Sequence, residues 1–280
     1  MGKSTLYVVA TPIGNARDIT LRALDVLAGV DLIAAEDTRN TAHLLRLHGL
    51  SAKPGALVAL HEHNERQGAE RIIDALAAGT SVALVSDAGT PTISDPGGLL
   101  VRSVREAGYR VIPVPGANAM LAALSAAGLP AQQFLFYGFL PAKETARRRE
   151  LEALQSLPYT LVFYEAPHRV LECVADLFGT LGEREITIAR ELTKLFETIH
   201  TGRLSEAVAW LNGDANRQRG EFVLLVAGAA MVAESGEGER VLRALLAELP
   251  LKQAVALTAR ITGEKRNAIY QLALTIKNGA

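Results

Sequence analysis

Through its first 115 residues the chain repeats one alternation: a short apolar run, a polar break, an amphipathic stretch, then glycine. The apolar runs fall at 6–10, 32–36, 56–61, 82–86 and 110–114, and the helical stretches at 20–28, 39–48, 65–78 and 98–107. Gly29, Gly49, Gly79 and Gly108 stand where those helices should stop. Apolar runs without polar alternation read as strands covered on both faces. Strand–helix–strand alternation closes most readily into a parallel sheet. The pattern therefore predicts a five-stranded, mostly parallel α/β domain over residues 1–115. Asp18 is expected to cap the first helix, and Asn64, ahead of Glu65, the third.

The pattern changes after Pro115-Gly116. A helix of small residues is predicted at 117–127, strands at 134–140, 160–165, 186–191, 196–201 and 221–227, and helices at 143–156, 168–178 and 204–211. The strands at 186–191 and 196–201 are separated only by a turn at Lys194-Leu195, so an antiparallel hairpin is expected there. Residues 116–230 thus read as a second α/β domain with a mixed sheet, hinged near 113–117. Residues 111–142 carry no charge, but Pro113, Pro115, Gly116, Gly128 and Pro130 interrupt them, so no membrane span is expected. Met231–Glu239 reads as a linker. Helices at 239–248, 251–261 and 264–276 follow as a small helical appendage, the last two joined through Thr262-Gly263 like a helix-turn-helix. Residues 238–280 hold seven Lys/Arg against three Asp/Glu, leaving a net −5 on the preceding body of a chain whose total is −1. A basic appendage on an acidic body hints at an anionic partner. The one cysteine, Cys173, excludes an internal disulfide and a cysteine zinc site, and it lies on an apolar helical pattern that predicts a core thiol. With no cationic leader ahead of the first strand, a soluble cytoplasmic protein is expected.

Chemistry-bearing residues gather at strand ends. The run VALVSDAGTPTISDPGG (82–98) passes from a buried strand directly into a Gly/Pro loop, and Thr11-Pro12-Ile13-Gly14-Asn15 does the same after the first strand. Loops at carboxyl ends of neighbouring parallel strands are where open α/β sheets bind ligands. Neither loop is a P-loop or a dinucleotide fingerprint. Ala35-Glu36-Asp37-Thr38-Arg39-Asn40 and His61-Glu62-His63-Asn64 occupy the next two strand ends, and helix capping by Glu36 or Asp37 is a competing use. Tyr164-Glu165-Ala166-Pro167-His168-Arg169 ends a strand of the second domain, with groups suited to acid–base work and phosphate clamping. Arg190–Glu197 forms a charged hairpin tip. No serine elbow, reactive-cysteine setting or metal-ligand spacing occurs. A pocket of backbone and small residues, without metal or phosphate loop, suits a large neutral-to-cationic cofactor such as S-adenosylmethionine.

The blocks TPIGNARDIT, AEDTRNTAHLL, SDAGTPTISDPG, VPGANAMLAALSAAGLP, FYGFLP, FYEAPHR, ARELTKLFE and GEFVLLVAG, in this order, resemble the bacterial 16S rRNA (cytidine 2′-O)-methyltransferases of the tetrapyrrole methylase superfamily. The resemblance covers residues 5 to 228 and, more weakly, the final helices. It implies two α/β domains with S-adenosylmethionine in the cleft between them, a homodimer, and methylation of a cytidine ribose 2′-oxygen in the decoding region of 16S rRNA. Gly89-Thr90-Pro91 occupies the place of a Gly-Asp-Pro cofactor loop, with Thr for the usual Asp. Ile93, Asn118, Ala119 and Tyr164 match further cofactor positions, Pro12 and Gly14 the cleft floor, and Asp87 belongs to the same loop. A ribose hydroxyl needs a base; Glu165 is the first candidate, then Glu36 or Asp37. Arg39, His168, Arg169 and Lys194 are candidates for gripping RNA phosphates. The competing functions are a precorrin-type tetrapyrrole methyltransferase and a non-catalytic RNA-binding ribosome-assembly factor.

Overall fold

Strands β1 (Thr5–Val9), β2 (Leu32–Ala35), β3 (Leu57–Ala59), β4 (Val82–Val85) and β5 (Arg110–Val114) pair in the order β3-β2-β4-β1-β5. Every pairing is parallel. The connections are α1 (Leu21–Gly29), α2 (Thr38–Leu47), α3 (Glu65–Ala77) and α4 (Gly98–Glu106). Strand side chains alternate between faces, and both faces are buried. Tyr7, Val9, Ala83 and Val85 pack with Val26, Leu27 and Leu45 on the α1/α2 side. Leu6, Val82 and Leu84 pack with Ile72, Leu76, Leu100 and Val104 on the α3/α4 side. That double burial is why the strands lack polar alternation.

The second sheet holds β6 (Phe134–Phe139), β7 (Thr160–Glu165), β8 (Glu185–Arg190), β9 (Thr198–Arg203) and β10 (Phe222–Val226), in the order β6-β7-β10-β8-β9. It is mixed: β6 and β7 are parallel and the other neighbours antiparallel. One face packs on α6 (Glu144–Leu154), α7 (Val170–Leu181) and α8 (Leu204–Asn212). The other packs on α5 (Ala119–Ala126) and reaches Ile13 of the loop after β1. Cys173 is fully buried in the first of these cores, as expected of a core thiol. Burial, with Glu165 adding negative charge nearby, pushes that thiol far above its ordinary range.

The computed structural model describes residues 2–61, 63–230 and 237–278. They divide into the units Met1–Gly228, which contains both sheets, and Ala229–Ala280. The second unit consists of α9 (Glu237–Glu248), α10 (Leu251–Thr262) and α11 (Arg266–Asn278) around Leu242, Ala254, Val255, Ile269 and Ala273. Gly263 ends α10 with φ of 72°, a left-handed cap that glycine adopts without strain. Of the expected linker, residues 231–236 lie outside the described residues. Among the described residues no helix is long and apolar enough to cross a membrane.

Three local expectations are corrected. Thr20, not Asp18, caps α1, accepting from the Ala23 N–H at 3.1 Å, while Asp18 closes a short 3-10 turn. Asn64 does not cap α3; its side chain accepts from the His61 N–H and donates to the Ala59 carbonyl. The hairpin turn is longer than Lys194-Leu195, running through 191–197, with Glu191 and Thr193 at φ of 51° and 66°. The buried Arg190 braces that longer turn, its guanidinium donating to the Phe196 and Arg219 carbonyls.

Candidate active site

The loops after β1 and β4 are fastened to each other before either meets a ligand. Thr11 and Gly89 exchange backbone hydrogen bonds of 2.9 and 3.1 Å, and the buried Thr11 hydroxyl donates to the Ser86 carbonyl at 3.1 Å. Gly89 has φ of 80°, a conformation glycine adopts freely. The Thr90 hydroxyl donates to the Ala117 carbonyl at 3.1 Å, tying the loop to the entry of α5. There the Asn118 side chain accepts from the Leu121 N–H at 3.2 Å, and the Tyr164 hydroxyl accepts from the Met120 N–H at 3.1 Å. Two first-turn donors of α5, the Met120 and Leu121 N–H groups, are thus satisfied by a residue of β7 and by the helix's own cap. Thr90, where an acid was the usual residue, acts as a brace.

These loops enclose a cavity of roughly 290 Å³, walled by Ala88–Thr90, Ile93–Asp95, Asn118 and Ala119 on one side and by Phe139, Tyr164–Pro167, Leu192 and Val223 on the other. Of the expected cofactor residues, Gly89, Thr90, Ile93, Asn118, Ala119 and Tyr164 line it. Pro12, Gly14 and Asp87 instead line an adjoining cavity of about 390 Å³ beside α2, with Asn40, His43 and Lys194. Both cavities share Ile13, Ala88 and Glu221. A Cβ on Gly14 would come 2.5 Å from Lys194 Cγ, so that glycine lets the β1 loop close on the hairpin tip, where the Asn15 N–H also donates to Thr193. Phe139, Pro167, Leu192 and Val223 were not foreseen as lining; each reads in sequence as an ordinary apolar residue.

The loop carrying Ile93 and Asp95 leads into a helix whose cap is supplied from another helix. At the start of α4, Gly97 has no side chain with which to cap. Glu65 Oε1 instead accepts from the N–H groups of Gly97, Leu99 and Leu100 at 3.0, 2.8 and 3.3 Å. A carboxylate there also meets the positive end of the helix dipole.

Most charged candidates are already partnered. The Glu165 side chain has no exposed surface; it accepts from the Ala166 N–H at 2.8 Å, and Arg169 Nε lies 3.2 Å from it, near enough to pair but off-axis for a hydrogen bond. Arg169 faces inward, donating to the Leu140 and Pro141 carbonyls, because those loop carbonyls have no ladder partner there. Its expected role as a phosphate clamp is therefore not supported by its geometry. Asp37 caps α2 and pairs with Arg39, whose hydrogen bonds hold its carboxyl down at about 2. Glu36 lies 3.4 Å from the Asp87 N–H, and Asp87 accepts from the Asp37 N–H and Asn40. Lys194 bonds Glu191 at 2.8 Å and Glu221 at 2.9 Å; burial works against its charge, but the two carboxylates hold it above its ordinary value. His168 is exposed. Asp95, which the sequence pattern did not single out, is half-buried in the cavity wall. Burial, with Glu36 and Asp87 adding repulsion, pushes its carboxyl up to about 6 against a hydrogen bond from Ser86.

A parallel sheet and a mixed sheet meet a cavity that has no phosphate loop, an α/β architecture with its ligand-sized space at the strand ends. Residues 5–208 match the model of the Tetrapyrrole (Corrin/Porphyrin) Methylases, and residues 232–277 that of the RsmI C-terminal HTH domain. Solved structures of the same fold include a cobalt precorrin-4 methyltransferase of cobalamin biosynthesis (TM-score 0.59, 17% identity, covering 80% of this chain and 95% of that one). Another is a Thermus thermophilus uroporphyrin-III C-methyltransferase complexed with S-adenosylhomocysteine (TM-score 0.55, 22% identity, 79% and 96%). The nearer likenesses lie elsewhere. The chain is 56% identical over 281 residues to the ribosomal RNA small subunit methyltransferase I of Pseudomonas aeruginosa, covering 98% of both. It is 54% identical to that of Escherichia coli O157:H7, covering 96% of this chain and 94% of that one. The chain belongs to the ribosomal RNA small subunit methyltransferase I family, within the tetrapyrrole methylases.

Proposed function

We propose that the chain transfers a methyl group from S-adenosylmethionine to the ribose 2′-oxygen of a cytidine in the decoding region of 16S rRNA. One observation carries this reading. The cavity built from backbone and small residues at the ends of β1 and β4 sits in a chain more than half identical, end to end, to named small-subunit rRNA methyltransferases. S-adenosylmethionine supplies an electrophilic methyl on a sulfonium. The protein's task is then to position the acceptor oxygen in line with that carbon and to exclude water. Gly89, Thr90, Ile93, Asn118, Ala119 and Tyr164 are assigned to holding the cofactor. Pro12, Gly14 and Asp87 are assigned to the adjoining cavity, on the acceptor's side. Arg39, 89% exposed at its side chain, His168 and Lys194 are assigned to the RNA. The basic residues of 238–280 add sequence-independent attraction to phosphates. Cytoplasmic location and a homodimer belong to the same proposal, the dimer being tested by sedimentation.

Tritiated S-adenosylmethionine offered with assembled small subunits, naked 16S rRNA and a precorrin tests the reading. Label in a cytidine 2′-O-methyl group of 16S rRNA is expected. Label in the tetrapyrrole, or in no acceptor, overturns it.

A further inference from the structure

We propose that the Glu221 carboxylate accepts the proton of the acceptor hydroxyl as the methyl is transferred, with Lys194 holding that carboxylate in place. The assignment rests on the proposed function above and deepens it. Methyl transfer joins an atom of the cofactor to an atom of the acceptor, so the reacting pair must meet where the two cavities meet. Ile13, Ala88 and Glu221 are the residues that line both. Of these, only Glu221 carries a side-chain group that can take a proton. Asp95 and Glu165 line the first cavity alone, and Asp87 the second alone. Glu165 is further closed off, with no exposed side-chain surface. The Glu221 side chain is 77% exposed, within reach of an acceptor as large as a nucleotide of an RNA chain.

The surrounding structure fixes that carboxylate from several sides. Glu221 immediately precedes β10, and its backbone is joined to Glu191 just past the end of β8. The Glu191 N–H donates to the Glu221 carbonyl at 3.0 Å, and the Glu221 N–H donates to Glu191 Oε1 at 3.0 Å. Glu191 has φ of 51°, a conformation that a non-glycine residue keeps only where its neighbours hold it. A Cβ on Gly220 would collide with the Glu191 side chain, so that glycine admits the close approach. Lys194 Nζ bridges the pair, donating to Glu191 Oε1 at 2.8 Å and to Glu221 Oε2 at 2.9 Å. Two of the three ammonium donors are thereby used, which leaves one for a phosphate of the bound RNA. Oε2 of Glu221 is engaged by the lysine; Oε1 has no hydrogen-bond partner among the described residues and is left to accept from the acceptor hydroxyl. In the step, the acceptor O–H proton passes to Glu221 Oε1 as the oxygen–carbon bond forms. The carbon–sulfur bond breaks with its electron pair going to sulfur, so the sulfonium becomes a neutral thioether. Glu221 then returns the proton to water.

The experiment is single-turnover methylation at saturating small subunits by wild type, Glu221→Gln, Glu221→Asp, Lys194→Met and the double variant E221Q/K194M. S-adenosylhomocysteine affinity is measured by calorimetry and small-subunit affinity by filter binding for each. E221Q keeps the shape and an oxygen for Lys194 but cannot take the proton. It is expected to slow transfer on the order of 100-fold or more, with both affinities within about threefold of wild type. E221D should restore part of the rate. K194M should slow transfer less than E221Q does, and the double variant should be no slower than E221Q, because the lysine acts through the carboxylate. A full E221Q rate, an E221D variant no faster than E221Q, or an affinity loss large enough to explain the slowing overturns the assignment of Glu221. A double variant slowed by the product of the two single effects overturns the role given to Lys194. Wild type that labels no ribose overturns the proposed function, and this assignment with it; ribose labelling by wild type and E221Q at one rate overturns this assignment alone.

Discussion

Glu65→Ala removes the acceptor for three N–H groups at the start of α4 without touching the cavity. An N-cap acceptor contributes about 0.5–2 kcal/mol, and hydrogen bonds to a charged group about 1.5–3 kcal/mol. Gly97 and Leu100 are buried, so water only partly replaces the lost acceptor. We expect a loss of about 2 kcal/mol, or a thermal midpoint lower by about 4–8 °C for a unit of this size. Glu65→Gln retains one acceptor oxygen but not the charge, and should lose about 1 kcal/mol. The loop carrying Ile93 and Asp95 leads into this helix, so S-adenosylhomocysteine affinity should fall several-fold in E65A and less in E65Q. Urea unfolding at pH 7 with calorimetric titration gives both quantities. An E65A variant within 0.5 kcal/mol of wild type, or E65Q no better than E65A, would refute the capping argument.

Asp95 offers a stability test independent of activity. Its carboxyl rises from an ordinary 3.8 to about 6 on folding, so the fold is favoured when the group is protonated. That advantage is complete below pH 3.8 and lost as pH rises through 6. With half the shift discounted for solvent screening, D95N should gain about 1.5 kcal/mol relative to wild type between pH 4 and pH 7. Equal pH dependence in urea unfolding would remove the case for a raised carboxyl. Asp176→Asn uncouples the buried Arg147, whose side chain is 2% exposed, and should cost about 3 kcal/mol. The paired replacement Arg147→Met/Asp176→Leu should cost less than D176N; a larger loss would contradict the desolvation argument. Thr90→Val keeps the shape but loses the bond to the Ala117 carbonyl. About 1 kcal/mol of stability should go, with cofactor affinity reduced less than tenfold by calorimetry.

The strands and helices were legible because their signals are local. Val82-Ala83-Leu84-Val85 can bury both faces only inside a covered sheet, and Gly263 ends a helix from its own backbone. Gly89, Thr90, Ile93, Asn118, Ala119 and Tyr164, which the family resemblance assigned to the cofactor, come together around one cavity. Partnership was not legible. Asn64 looks like a cap but bonds backward to His61, while Glu65, one residue on, caps a helix more than thirty residues away. Arg169 reads as a phosphate ligand, yet unpaired carbonyls at Leu140 and Pro141 draw it inward. The separation of Pro12, Gly14 and Asp87 from the other expected ligands depends on where the loop after β1 meets the hairpin tip, and no spacing along the chain encodes that.

Periodicity, glycine punctuation and strand-end loops determined the α/β layers, the helical appendage and the side of the sheet that carries the site, because those follow from each segment's own backbone and burial. Only the tertiary structure decided which carboxylates are paired with cations. A side chain's charge state and reach depend on its neighbours in space, and here Arg169, Lys194 and Arg39 occupy Glu165, Glu221 and Asp37.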